Sequence, residues 1–210
     1  MRQPSKSRSF ICGRSLVALA AISLILPATT GCWVQSVYPF YEDSDVAVDS
    51  SLIGDWAGEA ELKSCLLNIK LDAATRTYTF EVSKSTDKNV DSQCEAASFA
   101  ATLIRINQQR FFDVVPNQEK SWAAPLDMLL KVDEDGPKLN LVPLDPDWLE
   151  NAINDKTVNL HGRVQEFGLL PRFVAVTLVS PTGDLREFLR QHGNDKRAFS
   201  RSSGMIFLRQ

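Results

Sequence analysis

Few side chains of this chain could take part in covalent or metal chemistry. The chain contains four cysteines, Cys12, Cys32, Cys65 and Cys94. None of them forms a Cys-x-x-Cys pair, so their spacing fits no common zinc or thiol-redox motif. The two histidines, His161 and His192, have no histidine, cysteine or glutamate at the spacing of a local zinc site. The pattern therefore predicts no metal site.

Other catalytic signatures are equally sparse. The sequence has no Gly-x-Ser-x-Gly elbow and no glycine-rich phosphate loop. Glu81 and Asp113 could serve as a carboxylate pair for glycoside hydrolysis. No spacing favours that role, and carboxylates that alternate with apolar residues along a strand are usually solvated. We therefore predict no catalytic residue and no cofactor.

The N-terminal segment has the features of an export signal. Four basic residues and no acidic residue occur among the first fourteen, and residues 15–31 carry no charge. A basic start followed by an apolar stretch and small residues is typical of a secretory signal peptide. The stretch is short for a membrane-spanning helix, and Pro27 interrupts it. Residues 1–31 are therefore predicted to be a signal peptide with a helical core.

The end of this segment resembles the lipobox of bacterial lipoproteins. Gly31 and Cys32 in the stretch TTGC match a pattern whose cysteine receives diacylglycerol and becomes the new N-terminus. The resemblance implies that Cys32 is lipidated and holds the protein on a membrane of the cell envelope. Trp33, rather than aspartate, follows the cysteine, which resembles proteins of the outer membrane that face the periplasm. The alternative is an ordinary signal peptide cut near Ala28, with Cys32 free.

The remaining cysteines follow from this interpretation. Cys12 leaves with the signal and Cys32 is acylated, so Cys65 and Cys94 remain in an oxidising compartment where disulfides persist. We predict a structural disulfide between them. The alternative is two buried free thiols.

Charge argues against nucleic acid as a partner. The formal net charge is −3, and removing the basic N-terminal segment makes the rest of the chain more acidic. The charges are spread along the sequence, whereas nucleic-acid-binding proteins carry a clustered basic face.

Apolar residues from Ser51 onward recur mainly with a period of two. In the stretch CLLNIKLD, Cys65, Leu67 and Ile69 share one face, and in TYTFEVS, Tyr78 and Phe80 do the same. Such alternation is typical of half-buried antiparallel strands. Several hairpins follow, and the C-terminal stretch GMIFLR is expected to pair with an early strand and close the sheet.

Two short helices are expected among the later strands. The first begins with Asp145 as N-cap, and Trp148 lies on its apolar stripe. The second is expected to have Ser180 or Thr182 as its cap and to end at Gly193 in a left-handed conformation. Residues 32–50 are interpreted as a lipid anchor and tether, whose aromatic side chains dock on the domain or lie at the lipid surface. Residues 51–210 form a single domain.

Gly54-Asp55-Trp56 resembles the Gly-x-Trp signature of lipocalin-like (calycin) barrels. The resemblance implies that Trp56 plugs one end of a barrel and that a C-terminal arginine, Arg209 or Arg201, stacks on it. Together with the aromatic lead-in and the helices, the chain looks like a family of uncharacterised bacterial lipoproteins with no known activity. The predicted fold is mainly β (α+β), an antiparallel up-and-down sheet or barrel with two short helices.

Three functions are compatible with this pattern. The favoured hypothesis is a lipid-anchored, non-enzymatic envelope protein that binds a small apolar ligand or an envelope protein. The second is an envelope hydrolase with a site on loops near His161. The third is a structural or assembly role through an exposed apolar surface around Trp148.

Overall fold

The computed structural model describes residues 33–85, 94–117, 126–167 and 173–210. The predicted signal peptide and the predicted lipidation site Cys32 lie outside these ranges. Within them the strands are β1 Val34–Ser36, β2 Gly54–Gly58, β3 Cys65–Asp72, β4 Thr77–Lys84, β5 Ala97–Ile106, β6 Gln109–Pro116, β7 Asp127–Asp135, β8 Lys138–Pro143, β9 Gly162–Phe167, β10 Phe173–Leu178 and β11 Met205–Arg209. The helices are α1 Pro146–Asn154 and α2 Thr182–His192. Short 3-10 helices are Asp43–Asp45, Ser50–Leu52, Ala60–Leu62 and Arg201–Ser203.

Eight of the strands form a closed antiparallel barrel. Their order is β6-β5-β4-β3-β2-β11-β8-β7, and a further pairing of β7 with β6 closes the circle. The last strand, β11, pairs with β2 on one side and β8 on the other, as the sequence predicted. A mainly β fold with a lipocalin-like barrel and two helices is therefore confirmed.

The period of two explains how the barrel is filled. Leu67 and Ile69 of β3 and Tyr78 and Phe80 of β4 point inward and are buried. The interior core consists of Leu52, Trp56, Leu67, Ile69, Tyr78, Phe80, Ala101, Leu103, Phe112, Val114, Leu130, Val132, Leu139, Leu141 and Phe207. Because successive strand residues face opposite sides, polar neighbours such as Lys70 lie on the outside.

A second core covers one outer face of the barrel. Ile104, Phe111, Leu129 and Val142 point outward from β5 to β8 and pack against α1, α2 and a three-stranded ribbon of β1, β10 and β9. The adjacent residues Phe111 and Phe112 therefore belong to different cores. Strands covered on both faces show continuous apolar runs instead of clean alternation.

Residues 33–50, which we call the lead-in, pack on the barrel as part of the fold. Its strand β1 pairs in parallel with β10 and antiparallel with the start of β7. Phe40 is fully buried in the second core and Tyr41 packs against it, whereas Tyr38 is exposed. Docking of the aromatic side chains, one of the two alternatives, is what the structure shows for Phe40 and Tyr41.

Ion pairs attach the rest of the lead-in. The guanidinium of Arg186 on α2 donates to both carboxylate oxygens of Asp45, at 2.6 and 2.9 Å. Arg110 of β6 lies 2.7 Å from the Asp49 carboxylate. These ion pairs hold the lead-in against the barrel as far as the buried Leu52.

The helix caps differ from expectation in one of the two helices. Asp145 accepts a hydrogen bond from the Trp148 amide at 2.8 Å, which confirms it as the N-cap of α1. The prediction of Ser180 or Thr182 as the cap of α2 is wrong: the N-cap is Pro181, which makes no side-chain cap hydrogen bond. The Thr182 hydroxyl donates to the Pro39 carbonyl, and the Ser180 hydroxyl accepts from the His161 amide. The prediction of a left-handed Gly193 is wrong, since its φ is −58°. Glycine is needed there because a Cβ atom would lie 2.9 Å from the Phe111 ring.

Trp56 closes one end of the barrel. Its side chain is fully buried, and its indole N–H donates to the Leu52 carbonyl at 3.1 Å. The Arg209 guanidinium lies 4.2 Å from the centre of the indole ring and donates to the carbonyls of Ser51 and Ile53. Arg201, the other arginine considered, pairs with Asp133.

Gly54 makes room for this arginine. Its φ of +135° is a conformation that residues with a side chain rarely adopt, and a Cβ atom there would lie 3.3 Å from Arg209 Nη1. The glycine of the Gly-x-Trp signature is therefore required by both backbone and space.

We expect Gly54→Ala to lower the free energy of unfolding by about 1–3 kcal/mol, because alanine is strained at this φ and displaces the arginine. Urea denaturation measures the change. Gly183→Ala is the matched control, since nothing lies near its Cβ position in α2. It should stabilise the protein by up to about 1 kcal/mol. Equal effects of the two substitutions would contradict this explanation.

Candidate functional site

The end of the barrel opposite Trp56 contains a cavity of about 300 Å³. We call this end the mouth. Its lining comes from the strand ends at this side and from the lead-in: Trp33, Cys65, Leu67, Phe80, Val82, Cys94, Glu95, Ala97, Phe99, Val114, Met128, Leu130, Leu141, Met205 and Phe207. The volume lies at the lower end of the range for small-molecule sites.

The cavity follows from the sizes of the inward-facing side chains. Trp56 and Tyr78 fill the closed end, and Phe112 lies edge-on to Tyr78 with ring centres 5.2 Å apart. Toward the mouth, Val82 and Val114 lie among larger side chains such as Phe80, and the described side chains leave space between them. Among the described residues, the closed end is therefore filled and the mouth contains a cavity.

The lining of the cavity is almost entirely apolar. Glu95 is the one charged residue among the described residues that line it. A concave apolar site with few polar groups favours an apolar ligand, because burying hydrocarbon surface supplies the free energy and few polar groups must lose water.

A disulfide and an indole lie at the rim of the mouth. Cys65 and Cys94 are joined, with their Cα atoms 5.4 Å apart, and both are buried. The bond fixes the segment before β5 to the start of β3. Trp33, the first described residue, packs against the interior core. A covalent link as well as strand pairing therefore fixes the rim of the mouth.

Two carboxyl groups lie under the lead-in on the outer face of the barrel. Asp113 of β6 is only 2% exposed, and its Oδ2 accepts a hydrogen bond from the Phe40 amide at 2.8 Å. Its carboxyl also shares a hydrogen bond with the carboxyl of Asp127 at the start of β7. The expectation of a solvated Asp113 is wrong, because the lead-in covers it. Its position inside the apolar run RFFDVV was the sequence signal of burial.

This environment favours the protonated form of the pair. Burial, followed by the negative charge of Asp127, raises the pKa of Asp113 to about 8. Burial also raises the pKa of Asp127. One proton held between the two carboxyls removes their repulsion while Phe40 stays hydrogen-bonded. The arrangement anchors the lead-in, and the described contacts give it no opening to a substrate.

The remaining candidate residues lie apart from one another. Glu81 forms an ion pair with Lys70 at 2.7 Å on the exposed outer surface, well separated in environment from the buried Asp113. His161 is exposed, and its backbone amide donates to the Ser180 hydroxyl at 2.6 Å. That hydroxyl therefore serves the backbone rather than the imidazole ring. The described residues include no cluster of three or more potential metal ligands.

Trp148 packs against α2. Its ring centre lies 6.2 Å from that of Phe188 and 5.6 Å from that of His192, which itself stacks on Phe188. The large apolar side chains exposed in the described parts of the chain are Val37, Tyr38, Val48 and Val179. Trp148 is half-buried and is not among these exposed side chains.

Comparison of the chain with protein-family models, curated proteins and solved structures found no match. Among the described residues, no helix combines the length and apolar character needed to cross a bilayer. The geometry of the barrel mouth is thus the main basis for a functional proposal.

We expect replacement of Cys65 and Cys94 by alanine to lower the free energy of unfolding by about 3–4 kcal/mol. The reason is that the bond closes a loop of 29 residues, whose freedom in the unfolded chain would be regained. Urea denaturation with and without dithiothreitol measures this. Reduction should lower the free energy of unfolding of the parent protein to that of the variant. If dithiothreitol does not destabilise the parent, the prediction is wrong.

The Asp113–Asp127 pair predicts a pH dependence of stability. The folded protein holds a proton that an unfolded aspartate loses near pH 4, so the free energy of unfolding falls as pH rises from about 4 to about 8. The slope for one proton is at most about 1.4 kcal/mol per pH unit. Asp113→Asn keeps an acceptor for the Phe40 amide and should flatten the profile.

Urea denaturation across this pH range provides the measurement. Asp43→Asn is the control, since Asp43 is an exposed carboxylate on the same lead-in. It should reproduce the parent slope. A slope that persists in Asp113→Asn would show that another group is responsible.

Proposed function

We propose that this protein is a non-enzymatic, lipid-anchored protein of the cell envelope that binds a small apolar ligand in the barrel mouth. The observation that carries the proposal is the apolar cavity of about 300 Å³ at the mouth. A barrel filled throughout by side chains would instead have favoured action through the outer surface.

The proposed anchor residue is next in sequence to a residue that lines the cavity. Trp33 lines the cavity and directly follows Cys32, and consecutive Cα atoms are about 3.8 Å apart. A lipid on Cys32 would therefore keep the mouth at the membrane surface, within reach of hydrocarbon chains. This geometry supports an acyl chain or a similar unbranched hydrocarbon as the ligand. The membrane we propose is the outer membrane, with the protein facing the periplasm.

The chemistry of the lining supports the same ligand class. Most of the described side chains that line the cavity are aliphatic or aromatic, so they discriminate mainly by shape and hydrophobicity. Glu95 would disfavour an anionic group at its side of the rim, which favours a neutral or cationic end on the ligand.

Filling the mouth tests the proposal. Val82→Phe adds a ring to a side chain that lines the cavity, and we expect at least about a tenfold weaker binding of N-phenyl-1-naphthylamine, a neutral apolar fluorophore. Fluorescence titration of the chain beginning at Trp33 provides the measurement. Native mass spectrometry of protein taken from its own envelope would then identify the natural ligand.

The control makes the same chemical change elsewhere. Val179→Phe alters an exposed valine outside the barrel and should leave the affinity for the fluorophore unchanged. If Val82→Phe and Val179→Phe both bind the fluorophore as the parent does, the mouth is not the binding site.

A further inference from the structure

A second cavity of about 320 Å³ lies on the outside of the barrel. Its walls are β6 and β7 on one side and the chain that follows α2 on the other. We call it the basic cleft, because Lys131, Lys196 and Arg201 line it. It is separate from the mouth and shares no lining residue with it.

Lys131 forms the base of the cleft. The residue is only 8% exposed, and its Nζ lies 5.8 Å from the ring centre of Phe199, which also lines the cleft. Among the described residues, the ammonium is not one of the buried polar atoms that lack a hydrogen-bond partner, so it is accessible from the cleft. With its stem buried and its charge at the base of a concave site, Lys131 is placed to pair with an anion that enters the cleft.

The charges around the cleft do not cancel. Among the described residues that line the cleft, Asp133 is the one carboxylate beside Lys131, Lys196 and Arg201, and it lies 3.2 Å from Arg201 Nε. Asp195 does not compensate for the excess, because its carboxylate pairs with Arg197. Burial lowers the pKa of Lys131; Asp133 opposes this shift and Arg201 adds to it.

Neutral hydrogen-bond donors and an aromatic wall complete the lining. The amides of Gln109 and Asn194 line the same cavity, and the Phe199 ring forms its apolar side. Two uncompensated positive charges match a dianion better than a monoanion. Phosphate monoesters carry about two negative charges near neutral pH and accept several charge-assisted hydrogen bonds.

We propose that the basic cleft binds a soluble phosphate monoester, with its phosphate on Lys131, Lys196 and Arg201 and its organic part against Phe199. The cleft is large enough for more than the phosphate. It lies toward the closed end of the barrel, since Gln109 and Asp133 are next to the hairpins at that end. This choice rests on the proposed anchor at Cys32, which would place the mouth at the membrane and the hairpins of the closed end away from it. A soluble ester is therefore favoured over a lipid headgroup.

Calorimetric titration of the protein, purified from the cells that make it, with phenyl phosphate tests the proposal. We expect saturable binding that is at least tenfold tighter than binding of benzoate, a monoanion of similar shape. Lys131→Met keeps most of the side-chain volume without the charge and should weaken phenyl phosphate binding at least tenfold. Lys138→Met removes a lysine that pairs with Glu59 elsewhere and should change nothing.

A rim variant covers the case in which Lys131→Met fails to fold. Lys196 and Arg201 are exposed, so the double variant Lys196→Gln, Arg201→Gln keeps the fold and should also weaken binding at least tenfold. Phenyl phosphate binding that is absent in the parent, or that both charge-removing variants retain, would overturn the proposal.

Two further measurements distinguish a soluble ester from a lipid headgroup, and the basic cleft from the mouth. Sedimentation with phosphatidic acid vesicles should show no binding that depends on Lys131, and if such binding occurs without phenyl phosphate binding, the assignment to a soluble ester is wrong. Val82→Phe should leave phenyl phosphate binding unchanged, and Lys131→Met should leave fluorophore binding in the mouth unchanged. The two sites can therefore fail or succeed separately.

Discussion

Trp56 is fully buried at the closed end of the barrel, and three separate parts of the chain are held together around it. Its indole N–H is bonded to Leu52 at the end of the lead-in, and its ring is covered by Arg209 from the last strand. Gly54 supplies the space and the backbone conformation that this arginine needs. Trp56 and neighbouring aromatic rings fill this end of the barrel, and the apolar cavity that the described residues line lies at the mouth.

The lead-in connects the two ends of the molecule. It begins at Trp33 on the rim of the mouth, buries Phe40 above Asp113 and reaches the closed end at Leu52. Together with the helices, the lead-in covers the outer face of the barrel, so β5 to β8 are apolar on both faces. The lead-in also buries the carboxyl group of Asp113. The part of the chain nearest the proposed anchor is thus a structural component of both cores, and not a spacer.

Much of the fold could be predicted from local pattern. The period of two around Leu67 and Tyr78 indicated strands, and Asp145 before Pro146 indicated a helix start. The three residues of β1 are too few for any period, so the sequence left the lead-in as a tether. Burial of Asp113 and Lys131 depends on segments distant in sequence that cover them. The apolar run RFFDVV signals the burial of Asp113, whereas Lys131 looks like an ordinary outward-facing residue of a strand. The mouth depends on how unequal side-chain volumes meet across the barrel, which no single segment shows.

The strand β11 covers two edges of the barrel. It has five residues and separates β2 from β8, and Arg209 donates a hydrogen bond to a carbonyl 156 positions earlier. Without β11, β2 and β8 would each present an unpaired edge, a template for pairing with another molecule. Contacts over such a separation form slowly. Removing β11 would therefore lower solubility by more than the loss of a short strand suggests.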